Sequence, residues 1–425
     1  MYRRQFLLQS AAVPGIHRVT PNAARLQTQE IQAAIDACAK AGGGTVHFPA
    51  GRYLSGTLFL KSNVTLHLEA GATLAGSPIL ADYPPTACAF RSYTDNYTDK
   101  SLLYGENLEN IAIEGRGTID GQGASFKGPY KVRPYMIRII GCRNVSVSGV
   151  TIKDSPMWIQ HYLGCEGVHI HGITVRSRVN ANNDGIDIDC SDRVRISDCD
   201  IWSGDDAIVL KSTADRPCRQ VTITNCVLSS TCNALKLGTE TNGGFENILI
   251  DNCAIYDTRL SGIALEIVDG GTLDRVTVSN INMSRVGAPI FVRLGDRARP
   301  FREGGNRPPV GRLRHVLLSN IQATGASPVG CAIAGLPGHP IEGLALENIR
   351  LVFDGGGQPT HPHGQVPEHP EKYPEHHMFG ALPAYGFYCR HVRDLRFRDL
   401  DLSTAQPDPR PAMLCDDVEG LQGGV

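Results

Sequence analysis

Three aspartates set the chemistry open to this chain. Asp184 lies in Asn182-Asn183-Asp184-Gly185-Ile186-Asp187, and Asp205 and Asp206 follow in Ser203-Gly204-Asp205-Asp206-Ala207-Ile208. Carboxylates crowded into one patch repel, so at least one pKa must rise, and the patch then holds a proton donor beside a proton acceptor near neutral pH. Hydrolysis of a glycosidic bond needs such a pair: one protonated carboxyl for the leaving oxygen, and one carboxylate that activates water or attacks the sugar. Taken alone, Gly204-Asp205-Asp206 is an ordinary turn sequence. Whether it means more depends on what brings Asp184 beside it.

Four segments superpose without gaps: Asp184 to Asp189, Asp206 to Lys211, Asn233 to Gly238 and Ser261 to Glu266. Their third and fifth residues are aliphatic (Ile186 and Ile188, Ile208 and Leu210, Leu235 and Leu237, Ile263 and Leu265), which marks strands with one inward face. The outward columns then hold Asp184, Asp206, Asn233 and Ser261; Asp187, Val209, Lys236 and Ala264; and Asp189, Lys211, Gly238 and Glu266. Ser155 to Gln160 fits one coil earlier and turns Trp158 outward, where an indole face suits stacking on a sugar. With strands ~4.8 Å apart, Asp184, Asp205 and Asp206 fall into one patch.

The same spacing runs along the chain. A polar residue or glycine followed by an aliphatic recurs at Val64, Ile111, Val145, Val168, Val194, Val221, Ile248, Val276, Val316, Leu344 and Leu395. Between positions 145, 168, 194, 221, 248 and 276 the steps are 23, 26, 27, 27 and 28, a solenoid period. Alternation of period two within each phrase, with no helix between, predicts an all-β, single-domain parallel β-helix over residues 27–425. Thr28 to Ala41 has helical spacing instead, with Ile31, Ala34, Ile35 and Cys38 on one face, and predicts an α-helical cap on the open N-terminal end. Residues 1–26 read as a tail in which no strand is legible. Longer steps predict loops at about 284–312 and 353–386; the second contains His361, His363, His369, His376 and His377, read as a solvated stretch.

Six of the 13 cysteines share this register. Cys142, Cys165 and Cys218 precede their repeat aliphatic by three residues, and Cys199, Cys226 and Cys253 follow theirs by five, which predicts ladders of small buried side chains. No Cys-x-x-Cys or His-Glu-x-x-His stretch calls for a metal, and no motif calls for a cofactor. With 41 Lys+Arg against 43 Asp+Glu and no basic run, nucleic acid is a poor partner. No apolar run is long enough to span a membrane.

The paired aspartate motifs, with Ile31 to Asp36, the glycines before Thr45, and Pro49 to Tyr53, resemble the polygalacturonase-like glycoside hydrolases of family 28. The resemblance implies a right-handed β-helix and an O-glycosyl hydrolase that inverts the anomeric centre of a pectin-related plant polysaccharide or oligosaccharide without a metal. It also implies that Asp205 is the general acid, while Asp184 and Asp206 position and activate water. Two departures matter. The family's Gly-His-Gly falls on Cys232-Asn233-Ala234, and the Arg-Ile-Lys that grips a substrate carboxylate falls on Ala264-Leu265-Glu266. A glutamate there would repel a galacturonate. The expectation is a substrate other than plain polygalacturonate, contacted by Asn182, Trp158, Lys211, Asn233, Lys236, Glu266 and Arg293, with Arg297 as another source of charge.

Two other readings use the same residues. A polysaccharide lyase would take Lys211 or Lys236 as its base, and a non-catalytic carbohydrate-binding β-helix would leave the acids idle. Arg3, Arg4, Gln5, Phe6 and Leu7 resemble a twin-arginine signal, which implies export to the periplasm or beyond, although Gln9 and Pro14 cut the apolar segment short.

Overall fold

A computed structural model describes residues 15–424. The twin-arginine-like segment lies outside them. The repeat aliphatics stack as anticipated, with Val145 paired to Ile111 on one side and to Val168 on the other, and the ladder continuing through Val194, Val221, Ile248, Val276, Val316, Leu344 and Leu395. All strand pairings in this ladder are parallel, and the chain is a right-handed parallel β-helix.

The polar residue before each aliphatic has a backbone reason. Asn63, Asn110, Asn144, Arg193, Gln220, Asn247, Arg275, His315 and Asp394 all have φ between 52° and 62°, and Gly167 and Gly343 occupy the same coil position. The corner of every coil is thus left-handed, a conformation that asparagine tolerates better than most side chains and β-branched residues avoid. A second corner repeats this at Asp198, Asn225, Asn252, Asn280, Asn320 and Asn348. There most amides bond the corner below: Asn252 Nδ2 donates to Asn225 Oδ1 (2.7 Å) and Asn348 Nδ2 to Asn320 Oδ1 (2.9 Å), while Asn280 Nδ2 turns to Asp251 Oδ1 (2.8 Å).

The interior follows the predicted columns. Cys142, Cys165, Cys199, Cys218, Cys226 and Cys253 are buried and unpaired. The thiols of Cys142, Cys199, Cys226 and Cys253 each donate to the carbonyl two residues back at 3.2–3.3 Å, so they fill one kind of niche repeatedly. The helix Thr28–Lys40 covers the N-terminal end through Ile31, Ile35 and Cys38. The tail before it is not irregular: Gly15–Arg18 pairs with Gly44–His47 and Asn22–Leu26 forms a further strand against the coil Gly51–Ser55. Their short, half-exposed sequences lack the aliphatic alternation that would have revealed them. Strand Thr272–Leu294 runs into the first long loop, leaving 295–311 outside strands, and the second long loop is 354–386. Among the described residues no helix is long and apolar enough to cross a membrane.

One register differs from expectation. His161 pairs with Asp187, which places Trp158 in the column of Asp184 and not, as the gapless alignment had it, in that of Asp187. The inward positions here are Gln160 and Tyr162. Gln160 satisfies itself inside by donating to Gly185 O (3.2 Å) and accepting from the Tyr162 hydroxyl (3.0 Å). A glutamine at a core position misled the alternation.

If the left-handed corners are what lets the coils turn, Asn252→Val should lower unfolding free energy by about 1–2 kcal/mol, and Asn252→Gly by less than about 1 kcal/mol. Urea denaturation followed by circular dichroism checks this. Equal losses would show that the side-chain ladder, not the backbone, sets the cost.

Candidate active site

Asp184 is carried by a locked neighbour. Asn183 is fully buried; its Nδ2 donates to the carbonyls of Ser155 (2.9 Å) and Met157 (3.1 Å), and its Oδ1 accepts from the Ser177 hydroxyl (2.9 Å). Gly185 must be glycine, because a Cβ there would sit 2.3 Å from Ala207 O of the next coil. Asn182, at φ 58°, accepts from Arg133 Nη2 (2.8 Å). One coil on, the Asp205 carbonyl accepts from the hydroxyls of Ser203 and Ser230 (both 2.6 Å), and its carboxylate accepts from the Asp206 N–H (2.9 Å). One oxygen from each of Asp184, Asp205 and Asp206 lies within 4.8 Å of the others.

The three acids differ in their partners. Lys236 Nζ stands 3.3 Å from Asp206 Oδ2, while Asp206 Oδ1 accepts from Asn233 N (3.0 Å) and Nδ2 (2.8 Å). Lys211 Nζ stands 3.8 Å from Asp184 Oδ2, 3.7 Å from Asp187 and 3.7 Å from Glu240, and 4.6 Å over the Trp158 ring. Among the described residues no cation lies within 4 Å of Asp205. Burial and the adjacent Asp206 charge push the Asp205 carboxyl up. Asp184 is raised well above the ordinary aspartate range, through burial and the nearness of Asp205 and Asp187. Burial opposes the charge on both lysines, yet the surrounding carboxylates hold them well above their ordinary range.

These groups open into a cavity of about 240 Å³. Tyr93, Tyr97, Tyr130, Trp158 and Tyr373 form its aromatic walls; Asn182, Asp184, Asp205, Asp206 and Glu240 its polar and acidic surface; Lys211 and Arg299 its cations. Despite burial, Lys211, Arg297 and Arg299 hold Glu240 down to about 2. Trp158 does face outward, but only 4% of it is exposed, since Tyr97 and Tyr135 pack edge-on against it.

Other residues singled out from sequence stand elsewhere. Lys236 is not on an open face: the loop 354–386 lays Tyr373 over it and brings Glu375 Oε1 to 3.5 Å. Glu266 is wholly buried beneath, accepting from Thr239 Oγ1 (3.3 Å) with Lys236 at 3.9 Å, so it does not line the cavity. Arg293 is 1% exposed and donates to the carbonyls of Ala334, Gly335, Glu368 and His369, tying the loop down instead of facing the aspartates. Arg297 pairs with Asp269 behind Glu240. Of the five loop histidines, His376 is buried, not solvated. Tyr93, Tyr97, Tyr130, Glu240, Arg299, Tyr373 and Glu375 were not foreseen. Glu240 alone had a signal, since it lies two residues beyond Gly238 on the strand Leu235–Thr241.

Burial raises Glu266 from 4.5 to about 8, so it keeps its proton through neutral pH and leaves the Lys236 charge to Asp206 and Glu375. An acid whose folded pKa lies above its unfolded one adds stability that is full below the unfolded value and is lost as pH rises toward the folded value. Glu266→Gln should therefore flatten the fall in stability between about pH 5 and pH 8, as read from denaturation midpoints. An unchanged slope would mean that Glu266 is ionised and paired.

The model for glycosyl hydrolases family 28 matches residues 38–368. A probable polygalacturonase of Vitis vinifera is 28% identical over 363 residues, 77% of this chain and 71% of its own. An endo-polygalacturonase of Pectobacterium carotovorum subsp. carotovorum is 27% identical over 357 residues, covering 78% of this chain and 85% of its own. The family 28 exopolygalacturonase of Yersinia enterocolitica superposes with a TM-score of 0.76 at 21% identity, over 97% of this chain and 79% of that one, which speaks to the fold. With the family pattern spanning most of the β-helix and its aspartate motifs meeting in one cavity, the chain belongs to family 28 of the glycosyl hydrolases.

Proposed function

We propose that the protein removes a terminal sugar from a pectin-related chain by inverting hydrolysis, with Asp205 as general acid and Asp184 and Asp206 holding the attacking water. The observation that carries this is the unequal partnering of three adjacent carboxyls. Asp184 and Asp206 each have a buried lysine, and Asp205 has none. A raised carboxyl that no cation holds can present its proton to substrate; Asp184 is raised too, but Lys211 holds it in place. In the reaction Asp205 protonates the glycosidic oxygen as the C–O bond breaks, and water attacks the opposite face, passing its proton to a carboxylate of the Asp184/Asp206 pair.

The cavity is smaller than the ~300–1,000 Å³ of a drug-sized site, which suits one sugar unit better than a length of polymer. Loops 295–311 and 354–386 bring Arg299 and Tyr373 to its wall, in keeping with exo action. With Asp205 protonated, Asp184, Asp206 and Glu240 still outnumber Lys211 and Arg299 in the cavity wall, so an uncharged sugar is favoured over a uronate at the reacting position. Glu266, buried outside the cavity where the family's lysine would grip a carboxylate, supplies no such grip. A rhamnogalacturonan-type linkage, in which neutral sugars and uronates alternate, fits best.

A lyase is disfavoured because Lys211 and Lys236 are held protonated and so make poor bases. Export agrees with the twin-arginine-like residues 3–7 and with a polymeric substrate.

The test is incubation of wild type and Asp205→Asn with homogalacturonan, rhamnogalacturonan oligosaccharides, arabinogalactan and neutral oligosaccharides. The expected outcome is release of a neutral sugar of inverted anomeric configuration by NMR, with kcat in Asp205→Asn lower by about 10²–10⁴. Products absorbing in the ultraviolet through a new double bond, or undiminished turnover by the variant, would overturn the reading.

A further inference from the structure

A second cavity, also of about 240 Å³, shares Tyr97 as a wall with the aspartate cavity. Arg138 lines it and is 3% exposed. It projects from the strand Tyr135–Ile140, in register with His161 of the next coil and so on the sheet that carries the aspartates. Its Nη1 donates to Thr98 O (2.9 Å) and its Nη2 to Thr94 Oγ1 (3.4 Å), with the guanidinium 4.8 Å from the centre of the Tyr135 ring. Its Nε is buried and has no acceptor, and among the described residues no carboxylate pairs with it. A buried cation without a counter-charge is costly to hold.

The other charges around this cavity nearly cancel. Arg91 pairs with Asp95 (3.0 Å), and Asp99 has Lys100 at 4.0 Å. Lys131 meets only the backbone carbonyl of Asp95, at 3.5 Å. Lys131 and Arg138 are left uncompensated around a polar hollow. A single carboxylate neutralises the buried Arg138, with Lys131 solvated at the rim, whereas Asp95 and Asp99 would repel a doubly charged phosphate.

We propose that this cavity is an anionic-sugar subsite, which takes the carboxylate of a uronate against Arg138 and Lys131 while the ring linked to it passes Tyr97 into the aspartate cavity. This rests on the glycosidase reading and deepens it. The reacting position disfavours charge and its neighbour demands it, so the two cavities together select a linkage between an uncharged sugar and a uronate. The carboxylate grip lost at Glu266 reappears on the opposite side of the aspartates, supplied by a different coil.

The test is calorimetric titration of the full-length Asp205→Asn protein with galacturonate, digalacturonate, galactose and sodium phosphate, repeated with Lys131→Met and with Arg138→Gln added. Uronate affinity should weaken with added salt, and each substitution should raise the uronate Kd about tenfold or more, whereas any binding of galactose, which the aspartate cavity can take, should respond to neither. Lys131 is at the exposed rim, so its variant reads the site even if Arg138→Gln fails to fold. Uronate binding indifferent to salt, uronate affinity unchanged by Lys131→Met, or displacement by an equal concentration of phosphate would each overturn the proposal. Uronate-selective binding by a protein whose wild type hydrolyses nothing would uphold the subsite and sink the glycosidase reading. Hydrolysis with charge-blind binding would do the reverse.

Discussion

Everything in this molecule follows from parallel strands stacking in register at ~4.8 Å. A solenoid gives each coil position one column, and whatever a residue is, its neighbours a coil away must live with it. For Val, Ile and Leu the constraint is favourable and builds the core. For Asp184 and Asp206 it places two carboxylates on adjacent rungs, with Asp205 pressed against both. No flexible surface would keep that arrangement, since the side chains would simply swing apart.

The cost is offset locally by two lysines from the same face. Lys211 and Lys236 come one and two coils after Asp187 and reach back toward the acids. Each is buried and each bridges more than one carboxylate, so neither is free to leave its station. The asymmetry that matters chemically is then a matter of reach: the lysines pair with Asp184 and Asp206, and Asp205 feels Lys236 only from farther off. Asn233, where the family has histidine, donates to Asp206 and adds to the same bias.

Regular coils supply the acids but cannot close a cavity. Closure comes from the irregular segments, through Tyr93 and Tyr97 on one side and Arg299 and Tyr373 on the other. This division explains what could be read from the sequence. The repeat aliphatics, the cap helix, the cysteine niches and the aspartate cluster were legible because each depends on a residue's place in a period. Trp158 was given the wrong column because a core glutamine, Gln160, breaks the alternation. Glu266 sits in the predicted register, paired with Arg293 across adjacent strands, yet the loop roofs Arg293 and Lys236 covers Glu266. Exposure was inferred from the column, and only the fold of 354–386 could show that the column is covered. Glu375 and Tyr373 have no periodic signal, so nothing short of the structure could bring them to Lys236.

The central claim is that burial and the adjacent Asp206 charge raise the Asp205 carboxyl, and that no lysine pairs with it to pull it back down. Carboxyl-carbon NMR titration of ¹³C-aspartate-labelled protein, with Asp205→Asn and Asp206→Asn spectra to assign the signals, tests it directly. The account predicts that Asp205 titrates above the ordinary aspartate range and moves back toward it in Asp206→Asn, where the adjacent negative charge is gone. An Asp205 signal that titrates at the ordinary value, unmoved by Asp206→Asn, would contradict it.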